Sequence, residues 1–274
     1  MGFIDRIQAA MEKNNSLLCV GLDPSTKRFP EFIQTMKKPI FEFNKAIIDA
    51  TADLVCSYKP QAAYYHACGA EDQLAMTIVY IRTQYPDIPV ILDSKRGDIA
   101  STASQYAIEA FERYQADAVT VNPYIGVDTI DPFSSYADKG TVVLCRTSNP
   151  GAVAIQNLHV QHNGGLTMLY EVIAKMCRDQ WNKNNNILLV VGATNPTELK
   201  RIREITGDMT FLVPGLGAQG GDIEATVKNG QNSDGKGIIV NSSRGIIYAS
   251  GGGNFAEAAR SATIELRDQV NLYR

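Results

Sequence analysis

The sequence predicts a (β/α)8 barrel, an α/β fold that occupies residues 1–274 as one domain. Three observations carry that reading. The chain contains eight short, nearly continuous apolar runs. A helical stretch follows each one. Polar and charged residues collect where the runs end. Near-continuous apolar strands joined by helices indicate a parallel sheet covered on its outside. Eight such units in roughly 250 residues match a barrel. A doubly wound open sheet is the alternative, but no G-x-G-x-x-G follows the first strand, where a dinucleotide fingerprint belongs. No linker or shift in composition divides the chain.

A short helix comes first, with Phe3, Ile4, Ile7, Ala10 and Met11 on one face. Strand one is Leu17 to Leu22, ended by Asp23-Pro24. A helix over about Pro39 to Asp53 follows, then a strand near Val55 to Ala62 that carries Lys59. After a helix over about Glu71 to Gln84, strand three runs from Pro89 to Lys95. Its helix starts near Ser101 and shows the stripe Ala103, Tyr106, Ala107, Ala110, Phe111 and Tyr114. Strand four is Ala118 to Asn122, followed by a helix over Thr129 to Ala137. Strand five, Thr141 to Cys145, opens a long loop through Thr147-Ser148-Asn149-Pro150-Gly151, and a helix is expected over about Leu166 to Trp181. Strand six is Ile187 to Gly192, and Thr194 to Thr197 are good helix-start residues. Strand seven, Phe211 to Val213, ends in Pro214-Gly215-Leu216-Gly217-Ala218-Gln219-Gly220-Gly221. A short helix over Asp222 to Lys228 precedes strand eight, Gly237 to Asn241. The last helix spans about Phe255 to Leu272.

Composition narrows the function classes. A net charge of −3 gives no hint of a nucleic-acid or membrane partner. The five cysteines, Cys19, Cys56, Cys68, Cys145 and Cys177, have no metal-like spacing and fit reduced thiols in a cytoplasmic protein. Asp5, Arg6 and Glu12 interrupt any apolar core of a signal peptide. No apolar run reaches the length of a membrane span, about 18 residues. His159 and His162 resemble half of a metal site without a matching third ligand, and read as a solvated loop.

The chemistry centres on Asp93-Ser94-Lys95-Arg96-Gly97-Asp98. Asp93 and Lys95 leave the end of a buried strand two positions apart, so both point to one side. Desolvating them costs several kcal/mol per ion unless they are paired. They could form a structural ion pair, with Asp98 capping the next helix and Thr102 with Gln105 making a capping box. The rest of the rim favours a site. In a barrel the active site lies at the C-terminal ends of the strands. Asp23, Lys59, Asp93, Lys95, Ser148, Gln219 and Arg244 all fall there. The glycine-rich loop after strand seven and Ser243-Arg244-Gly245 after strand eight suit a phosphate, for which Arg244 offers a fork of donors.

These motifs resemble the orotidine 5'-phosphate decarboxylase family, in its longer bacterial type. The resemblance rests on Asp93-x-Lys95-x-x-Asp98 with Thr102, Lys59-Pro60-Gln61, Thr147 to Gly151, the Pro214 to Gly221 loop and Ser243-Arg244-Gly245. It covers nearly the whole chain. It implies decarboxylation of orotidine 5'-monophosphate to uridine 5'-monophosphate, without metal or organic cofactor. It also implies a Lys59, Asp93, Lys95 and Asp98 charge network, with Lys95 as proton donor to C6. Asp23 and Lys59 would hold substrate hydroxyls, Ser148 the pyrimidine, and Gln219 and Arg244 the phosphate. Pro214 and Ser243 join the substrate-binding set. Asp98 and Thr102 would enter the site of the neighbouring subunit, making a homodimer. The D-x-K-x-x-D motif alone is shared with relatives that act on sugar phosphates through magnesium. A catalytically silent nucleotide-binding protein is the remaining alternative.

Overall fold

The computed structural model describes residues 1–216 and 222–274. Eight parallel strands form the sheet: β1 (Leu18–Leu22), β2 (Ser57–Pro60), β3 (Ile91–Arg96), β4 (Ala118–Val121), β5 (Gly140–Arg146), β6 (Ile187–Val191), β7 (Phe211–Pro214) and β8 (Ile238–Ser242). Their order is β2-β1-β8-β7-β6-β5-β4-β3. Single parallel bridges, Tyr58 to Val90 and Gln61 to Asp93, join β2 to β3 and close the barrel. β1, β2, β4, β6 and β8 are buried along their whole length. That burial is why the sequence shows apolar runs rather than alternation.

The covering helices are α1 (Phe3–Lys13), α2 (Pro39–Thr51), α3 (Glu71–Gln84), α4 (Ala100–Ile108), α5 (Val127–Ser134), α6 (Leu169–Met176), α7 (Pro196–Thr206), α8 (Ile223–Gly230) and α9 (Phe255–Asn271). Pro39 and Pro196 open α2 and α7, where a missing N–H costs nothing. The Asp222 carboxylate caps α8 through the Ala225 N–H, at 3.0 Å. Helix α1 packs across the N-terminal end of the barrel. Its Phe3 ring lies against Gly140, and Arg6 pairs with the buried Asp117 carboxylate ahead of β4.

Two expectations fail. The segment after β5 is not loop up to Leu166. His159–His162 and Gly165–Met168 pair antiparallel, so the helix begins only at Leu169. Asn163 and Gly164, both with positive φ, make the two-residue turn. Asn-Gly is the strongest short-range hairpin signal, so this element was legible. Thr102 also cannot head a capping box, because it sits inside α4, whose N-cap position is Ile99. Four of the five cysteines are buried and only Cys68 is exposed. Among the described residues no helix is long and apolar enough to cross a membrane.

Candidate active site

Strand β3 delivers the central carboxylate. Asp93 is only 6% exposed, and all its acceptor capacity is engaged. Its Oδ1 accepts from Lys95 Nζ at 2.6 Å and from Thr120 Oγ1 at 2.8 Å. Its Oδ2 accepts from Lys59 Nζ at 2.8 Å and Gln61 Nε2 at 3.0 Å. One carboxylate therefore lies between two ammonium groups. Lys59 is buried with it, whereas the Lys95 side chain is 46% exposed.

The ionisation of the pair follows from this geometry. Burial opposes charge on both groups. For Asp93 the ammoniums of Lys59 and Lys95 win, and its carboxyl is held well below the usual range. For Lys59 the carboxylates of Asp93 and Asp23 overcome burial and raise its pKa above that of an ordinary lysine. Both stay charged at neutral pH.

Lys95 reaches Asp93 by an irregular route. The pleat alone was expected to put both side chains on one side, but the β3 register shifts between Leu92 and Arg96. Lys95 has φ of +47°, a left-handed conformation that non-glycine residues rarely adopt. Thr120 holds the distortion, its Oγ1 accepting from the Ser94 and Lys95 N–H groups at 3.0 and 2.9 Å. Strain retained by surrounding hydrogen bonds is typical of functional positions. The sequence reading assigned no role to Thr120. Its signal was available, since Thr120 is the lone polar residue of β4.

Asp23, Lys59, Asp93, Pro214, Ser243 and Arg244 line one cavity of about 160 Å³, with Gln61 and Asn241 among its other walls. Asp23 Oδ1 and Asn241 Oδ1 are buried, with no hydrogen-bond partner among the described residues. Arg244 heads the short helix Arg244–Ile247 and is exposed. The compact polar cavity is thus lined by the Lys59–Asp93 ion pair and by Arg244, while Lys95, which is not among its lining residues, holds Asp93 Oδ1 from beside it.

Three expected members stand apart. Ser148 lines a neighbouring cavity of about 540 Å³ with Arg146, Thr194 and Asn195. Asp98 forms no ion pair among the described residues. Its N–H donates to Thr129 Oγ1 at 3.1 Å, and its Oδ1 accepts from the Ile99 N–H at 2.8 Å. Thr102 is exposed on α4. Gln219 lies outside the described residues. Among the described residues no cluster of three or more His, Cys, Asp or Glu has metal-binding geometry, and His159 and His162 lie on one strand of the hairpin.

Residues 16–261 match the orotidine 5'-phosphate decarboxylase / HUMPS family. The chain belongs to that family. A protein of Cellvibrio japonicus named orotidine 5'-phosphate decarboxylase is 59% identical over the full length of both chains. One of the same name from Dechloromonas aromatica is 58% identical, again over both full lengths. The structure of Leishmania donovani OMP decarboxylase superposes with a TM-score of 0.84 at 38% identity, covering 100% of this chain and 98% of that one. Leishmania donovani UMP synthase gives a TM-score of 0.87 at 40% identity, and this chain spans 56% of it. The chain is accordingly an enzyme, a decarboxylase of this family on a (β/α)8 barrel.

Proposed function

We propose that the enzyme converts orotidine 5'-monophosphate to uridine 5'-monophosphate and CO2, the last step of de novo UMP synthesis. The chain acts as one catalytic domain, in the cytoplasm, without metal or organic cofactor. The observation that carries the reading is the buried Asp93 carboxylate between Lys59 and Lys95.

Loss of CO2 breaks the bond from C6 to the carboxylate and leaves an electron pair on C6. That carbanion needs a cation beside it and then a proton. Lys95 offers both from one atom: its Nζ stabilises the developing charge and then gives a proton to C6. Asp93 beside the substrate carboxylate repels it. Two like unit charges about 4 Å apart at an effective dielectric of 20 repel by roughly 4 kcal/mol. Enzymes in general lower barriers by about 8–23 kcal/mol, so repulsion supplies only part. Preorganised charge around C6 supplies more, because the Lys–Asp–Lys row is set before substrate arrives.

The other residues bind. Asp23 and Lys59 hold ribose hydroxyls, and the orphaned Asp23 Oδ1 supports this. Ser148 meets the pyrimidine. Pro214, Gln219, Ser243 and Arg244 form the phosphate end. Holding the phosphate away from the reacting carbon contributes binding energy that keeps the closed site dry. Asp98 and Thr102 act in the neighbouring subunit of a homodimer. The exposure of Thr102 supports that role, as does the apolar surface beside the half-buried Asp98, where Ile99 is 51% and Tyr124 83% exposed.

The test is direct. Orotidine 5'-monophosphate is added to purified protein with a chelator present, and its ultraviolet absorbance is followed. Rapid loss in the wild type, abolished by Lys95→Ala, is expected. A folded wild-type protein that leaves the nucleotide intact would redirect the assignment to magnesium-dependent sugar phosphates.

A further inference from the structure

Tyr248 has no part in the chemistry above, yet it ties the two binding ends of the cavity together. It directly follows the helix Arg244–Ile247. Its hydroxyl donates to the Asp23 carbonyl at 3.0 Å and accepts from the Ser25 N–H at 2.5 Å. The residue between them, Pro24, has no N–H to brace the turn itself. The Tyr248 ring is held by two neighbours. It stacks on Phe43 at a centroid distance of 5.7 Å, and the Arg28 guanidinium lies 3.9 Å from its centre. Burial pushes its pKa up to about 12, so the hydroxyl keeps its proton to donate.

A second clip lies next to it. Ser243 Oγ donates to the Gly21 carbonyl at 3.0 Å. The approach is so close that a Cβ on Gly21 would stand 2.8 Å from Ser243 Cβ. The ends of β1 and β8 are thus fastened twice, once on each side of Asp23 and Arg244. Asp23 Oδ1 meanwhile remains buried without a partner among the described residues. The direction of that carboxylate depends on the backbone turn that Tyr248 grips.

We propose that Tyr248 is a positioning residue: it locks the Asp23 turn to the Arg244 helix, so that ribose and phosphate are recognised by one rigid unit. The inference rests on the reading that Asp23 takes ribose hydroxyls and Arg244 the phosphate. A purely structural tyrosine would lower stability and leave ligand discrimination alone.

The test uses the full-length protein with uridine 5'-monophosphate and its 2',3'-dideoxy analogue, titrated by calorimetry. Tyr248→Phe is expected to weaken the ribonucleotide about three- to tenfold, the worth of one displaced hydrogen bond, and to leave the dideoxy analogue unchanged. Combined with Asp23→Asn, it should add nothing further, because both changes remove the same contact. In the ligand-free protein, the Ser25 amide should exchange faster in Tyr248→Phe than in the wild type. Equal weakening of both nucleotides, additive effects, or an equally protected Ser25 amide would each overturn the proposal. A wild-type protein that binds both nucleotides alike overturns the assignment of Asp23 and the ribose half with it. The Ser25 exchange still decides whether Tyr248 holds the turn.

Discussion

At the scale of residues, the decisive feature is one carboxylate shared by two ammoniums. Removing one partner of a buried ion pair leaves an uncompensated charge, which costs about 3–5 kcal/mol. Asp93→Asn strands Lys59 in this way, so it should lower stability by that amount as well as abolish turnover. Urea unfolding at neutral pH measures the first effect. Its pH dependence follows from the direction of each shift. Asp93 has a depressed pKa, so its contribution is complete above the ordinary carboxylate value near 4 and is lost as pH falls toward the folded value. Lys59 has a raised pKa, so its contribution is complete below the ordinary lysine value near 10.4 and is lost only as pH climbs through the folded value. The stability gap between wild type and Asp93→Asn should therefore hold constant from about pH 5.5 to 8 and narrow steadily below about pH 4. A gap that keeps its full size in acid would show that Asp93 does not anchor Lys59.

At the scale of elements, most strands were legible because five of the eight are buried along their whole length and most show an apolar run. The hairpin between β5 and α6 was missed because its strands are largely polar and exposed, although Asn163-Gly164 announced the turn. The left-handed Lys95 was not legible at all, because nothing local calls for it; Thr120, on another strand, holds it. Close approach between elements is equally hidden from a sequence. Gly192, just past β6, lies so near the β5 loop that a Cβ there would stand 2.7 Å from Ser148 N and Cα. Thr194 Oγ1 donates to the Ser148 carbonyl at 3.1 Å across the same gap. Gly192→Ala must push the Ser148 backbone aside. Overpacking of this kind costs about 1–3 kcal/mol, and here it also displaces a residue assigned to the pyrimidine. The expected result is a lower melting temperature together with a raised KM. Gly253→Ala, whose Cβ would meet nothing within 4 Å, is the control and should change neither. A tolerated Gly192→Ala with unchanged KM would argue that Ser148 does not need its present placement.

At the scale of the whole molecule, the barrel brings Asp23, Lys59, Asp93 and Arg244 from four strand ends to one cavity, but leaves the half-buried Asp98 and the exposed Thr102 outside its lining. The cavity could be anticipated from the sequence, since all strand ends of a closed barrel share one rim. A second subunit is different: only the family resemblance suggested it, because the pattern within one chain does not encode the partner's position. The surface around Asp98 agrees with a partner there. Ile99, Tyr124, Ile125 and Val127 are all exposed large apolar residues, from the segments after β3 and β4 and the start of α5. Grouped apolar exposure is what an interface leaves bare in a single chain. If Asp98 serves the neighbouring site, two inactive variants can rescue each other. In a hybrid dimer of Lys95→Ala with Asp98→Ala, one site receives both defects and the other receives neither. Random exchange of equal amounts makes half the dimers hybrid, each with one intact site of two, so activity should return to about a quarter of the wild-type level. The two variants are mixed, exchange is verified with differently tagged subunits, and turnover is measured before and after. Recovery that tracks the fraction of hybrids establishes the shared site. Verified exchange with no recovery would place Asp98 in its own subunit's chemistry and leave the exposed apolar surface without that explanation.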